Sequence, residues 1–306
     1  MSSTVLSDSF RGIVYFTAAA KNESFTAAAE ELGISKSALG KSIAKLENHL
    51  NTKLFHRTTR KLSLTTEGEA YLASCQLALD TLQSAELALQ SKLSQPSGRV
   101  RIDVPAAFGR SFVLPVLLKL AEQHAQLKLT VTFNDKIIDP LDAGFDLAIR
   151  FGAIKDSGDL VARKLTSQHL ILTASPAYLA RLGTPTSLAE LTSHQCIVAW
   201  RGGSSLHWLI KNTDGDDMRF HPKPFHQISD GDAMVDACIA GAGIIQFPKS
   251  LLQPWLDEGK LVPILPELNP ASTELHIIWP KTKHLLPSVR FIIDEFVRLS
   301  DEGNFN

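Results

Sequence analysis

Residues 22–61 read NESFTAAAEELGISKSALGKSIAKLENHLNTKLFHRTTRK, and we expect the chain to be organised around them. Ser24 is a favoured N-cap residue before an alanine-rich segment of high helix propensity. Gly33 follows that segment, where a left-handed residue commonly ends a helix, and Ser35 can cap a second helix. Two helices joined by a short glycine turn predict a helix-turn-helix.

The second helix of this motif has two distinct faces. Its apolar residues recur at steps of 4, 3 and 4 and predict one buried stripe formed by Leu39, Ile43, Leu46 and Leu50. The opposite face carries Lys36, Ser37, Lys41 and Lys45. A helix of this size and charge suits the major groove of DNA.

Basic residues are concentrated around this helix. Residues 36–61 contain seven Lys or Arg and one acid, Glu47, whereas the whole chain has a net charge of −1. Such a patch is what phosphate neutralisation requires. Residues 53–64 read as two short strands around a basic tip, a wing, whose Arg57 and Arg60 would follow phosphates or enter the adjacent minor groove. A solvated hairpin is the alternative.

The predicted DNA-contacting residues are Thr26, Ser35, Lys36, Ser37, Gly40, Lys41, Lys45, Arg57, Thr58, Arg60 and Lys61.

The segments SFTAAAEELGISKSALGKSIAKLE and LFHRTTRKLSLTTEGEAYL resemble the N-terminal domain of LysR-type transcriptional regulators. Two positions depart from many members of that family, which have a glutamine at Lys36 and a serine at Gly40. A lysine at the start of the helix can contact guanine or phosphate, so Lys36 is expected to shift sequence specificity. Gly40 costs about 0.5–1 kcal/mol of helix propensity.

Two further helices are expected in this region. Ser7 or Ser9 can cap the first, whose apolar face is Phe10, Ile13, Val14 and Phe16. Thr66 and Glu69 resemble a capping box that starts a long helix. Its positions at alternating steps of 3 and 4 form a heptad-like seam: Leu72, Cys75, Leu79, Leu82, Glu86, Leu89 and Leu93.

We expect that seam to pair with the same helix of a second subunit, and packing on its own domain is the alternative. The family resemblance likewise implies a homodimer through this helix and a homotetramer of two such dimers. Residues 95–98, QPSG, mark a break in composition. The predicted domains are a winged helix-turn-helix over 1–66, a linker helix over 67–94 and an effector-binding domain over 95–306.

From Arg99 onwards the pattern alternates between strands and helices. Strands are predicted at 100–104, 128–133, 146–150, 170–174, 196–200 and 243–247. Helices are predicted at 112–124, 233–240 and 287–299, with a helical turn at 140–143, and the last helix is expected to return to the first unit. Such repeats predict a mostly parallel sheet with helices on both faces.

The segments PAAFGRSFVLP, GFDLAIRFG, ILTASPAYLARLGTP and GDAMVDACIAGAGIIQFP resemble the effector-binding region of the same family. The resemblance implies two α/β lobes like those of type 2 periplasmic binding proteins. Lobe I would span about 99–169 and 275–306, and lobe II about 170–274.

Ligands of open α/β sheets bind beyond the carboxyl ends of the strands. This rule predicts effector contacts from Pro105, Ala106, Ala107, Phe108, Asn134, Asp135, Arg150, Phe151, Trp200, Arg201, Ser229 and Asp230.

The loop at 105–111 leads into a helix N-terminus, which favours an anionic group, and Arg150 and Arg201 would add a clamp. Structural ion pairs are the alternative for both arginines. Much of the family has a Ser or Thr near this loop to bind a carboxylate, but Ala106 and Ala107 offer only backbone amides.

Several classes of protein are disfavoured. No stretch of about 18 uncharged apolar residues occurs, so neither a signal peptide nor a membrane span is expected, and the protein is predicted to be cytoplasmic. GxSxG, HExxH and Walker motifs are absent, and no cofactor or metal is expected. Cys75, Cys196 and Cys238 lack zinc spacing and are expected to be buried, with a redox pair Cys196–Cys238 as the alternative.

The sequence therefore predicts a transcriptional regulator that binds a dyad operator in double-stranded DNA and responds to a small-molecule effector. RNA polymerase is the further partner that this role implies. Two other functions stay open: an enzyme with a DNA-binding appendage, and an architectural protein with a ligand-free cleft.

Overall fold

The computed structural model describes residues 3–57, 62–90, 96–135, 144–152, 158–211, 216–268, 271–281 and 285–305. It divides into two compact units, Met1–Gln90 and Ser91–Asn306.

Within its described residues, the first unit contains four helices and a two-stranded hairpin. In chain order they are α1 (Ser3–Asn22), α2 (Phe25–Glu31), α3 (Lys36–Leu50), β1 (Phe55–Arg57), β2 (Leu62–Leu64) and α4 (Thr66–Gln90). The strands β1 and β2 pair antiparallel.

The predicted helix boundaries around the turn are confirmed. Ser24 Oγ accepts a hydrogen bond from Ala27 N at 3.3 Å, and Ser35 Oγ accepts one from Ala38 N at 3.2 Å. Gly33 has a φ of 65°, the left-handed conformation that ends α2.

The predicted buried stripe of α3 is also confirmed, since Leu39, Ile43 and Leu46 are buried. The predicted face of α1 is partly wrong, because Phe10 is 45% exposed whereas Phe16 is fully buried. The buried residues of α1 recur at Gly12, Phe16 and Ala19. Phe10 lies two residues before Gly12, roughly 200° around the helix, and therefore faces away. The helix also begins at Ser3, before the predicted Ser7 or Ser9 cap.

The cap of α4 differs from the predicted Thr66–Glu69 box. Thr65 Oγ1 accepts a hydrogen bond from Gly68 N at 2.9 Å and donates one to Lys53 O at 2.7 Å. The cap is thus one residue earlier, where the hydroxyl can also bond to the segment before β1.

The second unit contains twelve strands, β3–β14, among its described residues. They are β3 (Gly98–Val104), β4 (Leu127–Phe133), β5 (Leu147–Phe151), β6 (Leu160–Ala174), β7 (Cys196–Arg201), β8 (Ser204–Ser205), β9 (Trp208–Lys211), β10 (Asp217–Phe220), β11 (Pro224–Ile228), β12 (Ile245–Pro248), β13 (Val262–Ile264) and β14 (Ala271–Pro280).

Its helices are α5 (Ala106–Phe108), α6 (Leu114–Gln123), α7 (Pro176–Leu182), α8 (Gly231–Ile239), α9 (Lys249–Asp257) and α10 (Pro287–Asp301). A π-helical turn at Gly109–Val113 joins α5 to α6, so the predicted helix 112–124 begins earlier, at Ala106. The predicted turn at 140–143 lies outside the described residues.

The main sheet is mixed rather than mostly parallel. Its strand order is β12-β6-β14-β5-β3-β4, with β13 also paired to β6. β3 is parallel to β4 and β5, but β14 runs antiparallel to both β5 and β6. The long strands β6 and β14 cross between two lobes in opposite directions, which a parallel arrangement does not allow.

Each lobe has its own hydrophobic core. In lobe I the core joins β3 to α10, with Ile102 packed near Ile292 and Phe296, as expected for the returning last helix. Lobe II has one cluster around Tyr178 and Trp208 and another around Met234 and Cys238. The carboxyl ends of β3 and β7 carry the loops that form the site between these lobes.

Candidate DNA interface and effector cleft

The outer face of α3 presents polar and basic side chains to solvent. Lys36, Ser37, Lys41 and Lys45 are exposed, and so are Thr26 and Ser35 on the preceding segment. A Cβ added at Gly40 would meet nothing within 4 Å, so this position is open as well. The buried stripe holds α3 with its basic face outward, in the arrangement that groove binding requires.

Glu47, the acid within the basic stretch, is buried and anchors the end of α3. Its carboxylate accepts hydrogen bonds from Leu54 N at 3.0 Å and Phe55 N at 3.4 Å, and Lys53 Nζ lies 3.1 Å away. Burial raises the pKa of Glu47, but the bonds from Leu54, Lys53 and Phe55 outweigh it and hold the pKa below its usual value. This role of Glu47 was not predicted from the sequence, although Glu47 directly follows Leu46 of the buried stripe.

The wing is described only at its base. Phe55 pairs with Leu64, and His56 pairs with Ser63. Arg57 ends β1, while Thr58, Arg60 and Lys61 lie outside the described residues.

The predicted seam of α4 divides into two parts. Cys75 is buried in the core of the first unit and Leu72 packs against that core, so this part is covered by its own domain, contrary to expectation. Further along, Leu82 is 46% exposed and Glu86 is exposed. Leu93 and the side chain of Leu89 lie outside the described residues.

A cavity of about 150 Å³ lies between the two lobes of the second unit. Seven residues from the predicted effector set line it: Pro105, Ala107, Phe108, Asp135, Phe151, Arg201 and Ser229. The carboxyl ends of strands in both lobes therefore meet at one cavity.

Arg150 was predicted to bind an anionic effector, but its side chain contacts other residues of the protein. The Arg150 guanidinium forms an ion pair with Asp103, which is fully buried, and donates to Ile149 O at 2.8 Å. Burial raises the pKa of Asp103, while the neighbouring Arg150 opposes that shift. Arg150 therefore forms a structural ion pair, which was the alternative to its predicted role in effector binding.

Four other predicted residues do not line the cavity. Trp200 is 42% exposed, because side chains alternate along a strand and its neighbour Arg201 takes the inner side. Asp230 caps α8 by accepting a hydrogen bond from Ala233 N at 2.9 Å. Ala106 and Asn134 lie beside lining residues without lining the cavity themselves.

Asp135 and Arg201 form an ion pair across the cleft. Asp135 follows β4 in lobe I, and its Oδ1 accepts hydrogen bonds from Ala106 N at 3.3 Å and from Arg201 Nη2 at 3.4 Å. Arg201 ends β7 in lobe II. Its Nε is buried and has no acceptor among the described residues. Leaving such a donor unpaired costs about 1–3 kcal/mol.

Most of the cavity lining lies outside the effector-binding residues that were predicted from the sequence. The further lining residues are Leu170, Ala199, Leu206, His207, Trp208, Gly231, Met234, Gln246, Phe247, Pro248, Leu251 and Thr273. They come from segments far apart in the chain, and no spacing in the sequence links them.

Among the polar lining residues, Gln246 is already hydrogen-bonded within the protein and His207 is uncharged. Gln246 Oε1 accepts from Leu209 N at 2.8 Å, and its Nε2 donates to Leu209 O at 2.5 Å. Burial lowers the pKa of His207, and Arg219 and His221 lower it further, so the imidazole is neutral at pH 7. The cavity is therefore largely apolar, with the Asp135–Arg201 pair as its charged part.

A second ion pair joins the lobes at the rim of the cleft. The Arg110 guanidinium, from the π-helical turn, contacts Asp232, and Arg110 Nη2 lies 4.0 Å from Asp230 Oδ2. All three side chains are about half exposed, so solvent screens these interactions.

The cysteines are buried and unreactive in character. Burial raises the pKa of Cys196 to about 11 and that of Cys238 to about 12. Both thiols are protonated at neutral pH, which argues against the redox alternative. Within the described residues, no three His, Cys, Asp or Glu side chains are grouped to hold a metal ion, and no helix is both long and apolar enough to span a bilayer.

Family models match both units of the chain. Residues 10–69 match the bacterial regulatory helix-turn-helix protein of the lysR family, and residues 93–300 match the LysR substrate binding domain. The chain belongs to the LysR family of transcriptional regulators. A LysR-type regulator combines a helix-turn-helix DNA-binding domain with an effector-binding domain, and the resemblance seen in the sequence is confirmed.

Relatives of known sequence support this assignment over most of their length. The chain is 34% identical over 278 residues to an uncharacterised HTH-type transcriptional regulator of Haemophilus influenzae, covering 91% of this chain and 96% of the relative. It is 32% identical over 255 residues to the HTH-type transcriptional regulator CrgA of Neisseria meningitidis, covering 83% and 84% of the two chains.

A solved structure of a LysR-type regulator has the same architecture. The CrgA structure from Neisseria meningitidis aligns with a TM-score of 0.61 at 29% identity, covering 95% of this chain and 98% of that one. The predicted fold class, a winged helix-turn-helix followed by a two-lobed α/β domain, is thereby confirmed.

Proposed function

We propose that this LysR-type regulator reads an operator dyad with the outer face of α3 and the wing, and that a small molecule in the cleft at Arg201 changes its promoter output. The observation that carries the proposal is the cavity that both lobes line, combined with the basic, solvent-facing side of α3. Ligand-driven movement of the lobes would alter the presentation of the DNA-binding domains to the operator and to RNA polymerase.

The proposed DNA contacts are divided between base reading and phosphate binding. Lys36, Lys41 and Lys45 are exposed on one side of α3 and would enter the major groove. The wing residues Arg57, Thr58, Arg60 and Lys61 would contact the flanking phosphates. The proposed extents remain 1–66 for the DNA-binding domain, 67–94 for the linker helix and 95–306 for the effector-binding domain.

Replacing Lys41 with alanine is expected to weaken operator binding by about tenfold, because an exposed charge on the groove-facing side is lost. The measurement is a titration of labelled operator, found by footprinting the DNA upstream of the gene. Lys119→Ala is the matched control, since Lys119 is an exposed helical lysine in the other unit. An unchanged affinity with Lys41→Ala would remove α3 as the reading helix.

The contribution of the wing to DNA binding can be distinguished from that of α3 by the salt dependence of the affinity. Arg60→Ala should weaken binding equally on operator and random DNA, and it should lower the slope of log K against log salt by roughly 1. A loss confined to the operator would mean that the wing reads bases.

We propose that α4 also forms the dimer interface and that two dimers build a tetramer. Support comes from Leu82, a large apolar side chain that is 46% exposed on a 25-residue helix. The covered part of the seam, around Cys75, would instead fix α4 to its own DNA-binding domain.

We propose an effector with an apolar body and an acidic group. The aliphatic and aromatic lining suits an apolar body, and the Arg201 guanidinium, whose Nε lacks an acceptor among the described residues, suits an anionic oxygen.

Filling the cavity should abolish the response to this effector while sparing DNA binding. Ala199→Leu adds three carbons to a lining residue of β7, which leaves too little of the 150 Å³ for a ligand. A reporter driven by the upstream DNA is screened with small organic acids, and the half-maximal concentration of the responding compound is measured. We expect at least a tenfold increase, as overpacking excludes the ligand. Ala125→Leu, at an exposed position, is the control, and an unchanged response with Ala199→Leu would place the effector elsewhere.

A further inference from the structure

The carboxylate of Asp135 lies at the start of a long helical run. This run begins with α5 at Ala106 and continues through the π-helical turn into α6, which ends at Gln123. Asp135 Oδ1 accepts a hydrogen bond from Ala106 N, one of the helix N-terminal amides that have no acceptor within the helix itself. Such amides and the helix dipole favour negative charge.

The same oxygen also faces the cation of the opposite lobe, since Arg201 Nη2 lies 3.4 Å from it. These two donors, a backbone amide and Arg201, are the groups that an acidic effector would use. The position is therefore already occupied by an anion that belongs to the chain.

We infer that Asp135 is a tethered substitute for the acidic group of the effector, and that an anionic effector binds by displacing it from Arg201 and Ala106. The inference rests on the effector cleft proposed above and adds how that cleft is kept filled without ligand. Asp135 thus sets the concentration at which the effector acts.

The charges around the cleft make simultaneous binding unfavourable. Asp103 is paired with Arg150, and Asp135 is paired with Arg201, so the acids and arginines compensate each other. The side chain of Asp135 is 12% exposed, so water screens little of its charge. A second carboxylate within about 4 Å would be strongly repelled at that depth, and it can bind only if Asp135 leaves.

A carboxylate ligand can form better hydrogen bonds in this position than Asp135 does. Both hydrogen bonds of Asp135 Oδ1 are long, at 3.3 and 3.4 Å, and the nearby Arg201 Nε has no acceptor among the described residues. A free carboxylate can bind a guanidinium with two oxygens at once. Such a ligand would satisfy both Nε and Nη2, which Asp135 does not do.

Displacement of Asp135 by the effector would also change the contact that joins the two lobes. Asp135 belongs to lobe I and Arg201 to lobe II, so their ion pair closes the cleft without any effector. After displacement, the effector would make the connection between the lobes.

The test uses the full chain and two isosteric probes of different charge: benzoate and benzamide. Melting temperature and calorimetric affinity are measured at constant ionic strength for the parent and for Asp135→Asn. The substitution removes the charge while the asparagine oxygen can still accept from Ala106 N. We expect benzoate to bind at least about tenfold more tightly to Asp135→Asn than to the parent, and benzamide to bind equally to both.

Two control variants locate the effect. Asp230→Asn removes a carboxylate at the rim of the same cleft and keeps the cap of α8, because asparagine also caps helices. It should leave benzoate binding unchanged. The double variant Asp135→Asn/Arg201→Gln should lose the gain. Operator binding and the melting temperature without ligand verify that each variant is folded, and Asp135→Ser serves if Asp135→Asn is not.

Equal benzoate affinity in the parent and Asp135→Asn, including no binding by either, overturns the inference. An equal gain in Asp230→Asn also overturns it, since the effect would then be one of net charge. Failure of the cleft proposal is recognised separately, because Ala199→Leu would then keep a normal effector response in the reporter assay.

Discussion

Replacing Glu47 with alanine is expected to destabilise the first unit by about 3 kcal/mol, because the buried amides of Leu54 and Phe55 lose their acceptor. The four tryptophans, Trp200, Trp208, Trp255 and Trp279, all lie in the second unit, so their fluorescence does not report this loss. Hydrogen exchange of residues 36–50 in the full chain is the suitable measurement. We expect faster exchange there and unchanged exchange in α10.

Glu30→Ala is the matched control, since Glu30 is an exposed acid on the neighbouring α2. It should change exchange little. Equal effects of the two substitutions would mean that the Glu47 hydrogen bonds contribute nothing specific.

The same carboxylate is expected to make the stability of the first unit sensitive to acid. The folded pKa of Glu47 lies below its usual value, so its contribution is fully present above the unfolded pKa. It is lost as the pH falls through the folded pKa. The Glu47→Gln variant keeps an acceptor for these amides but does not titrate in this range. Its stability should therefore vary less than that of the parent between pH 6 and acid conditions. A parallel pH dependence in both proteins would contradict this assignment.

Replacing Gly68 with alanine is expected to destabilise the first unit by about 3 kcal/mol through overpacking. A Cβ at Gly68 would lie 2.1 Å from the backbone oxygen of Leu54, which is buried and cannot withdraw easily. Helix propensity alone predicts the opposite, a stabilisation of about 1 kcal/mol. The sign of the change in stability, measured by hydrogen exchange of α3, therefore separates the two effects.

Gly40→Ala supplies the matched comparison, because a Cβ there meets nothing within 4 Å. It should stabilise α3 by about 0.5–1 kcal/mol. Stabilisation by both substitutions would show that the close approach of α4 to Leu54 is absent in solution.

Local features of this chain could be predicted because neighbouring residues encode them. The caps at Ser24 and Ser35 and the left-handed Gly33 depend on contacts within about one helical turn. The α3 stripe depends on helical periodicity alone. Where the predictions shifted, as from Thr66 to Thr65, a contact with a distant segment decided the result.

Longer strands and the cleft lining were harder to predict. The first half of β6 contains the charged residues Arg163 and Lys164, so its sequence does not indicate a strand. This half is a strand because it pairs with β14. The consecutive residues Leu206, His207 and Trp208, which line the cavity, carry no local signal for a ligand. Their role follows from where the lobes meet.

The helix-turn-helix, its basic outer face and the family could be recognised from the sequence, because periodicity, capping and charge are properties of contiguous residues. Which of the predicted cleft residues lie together depends on the tertiary structure. Arg150 is held by the buried Asp103, whereas Arg201 meets Asp135, 66 positions away in the chain. Nothing in the order of residues distinguishes these two arginines. The difference arises because folding places one beside a buried acid and the other at the junction of the lobes.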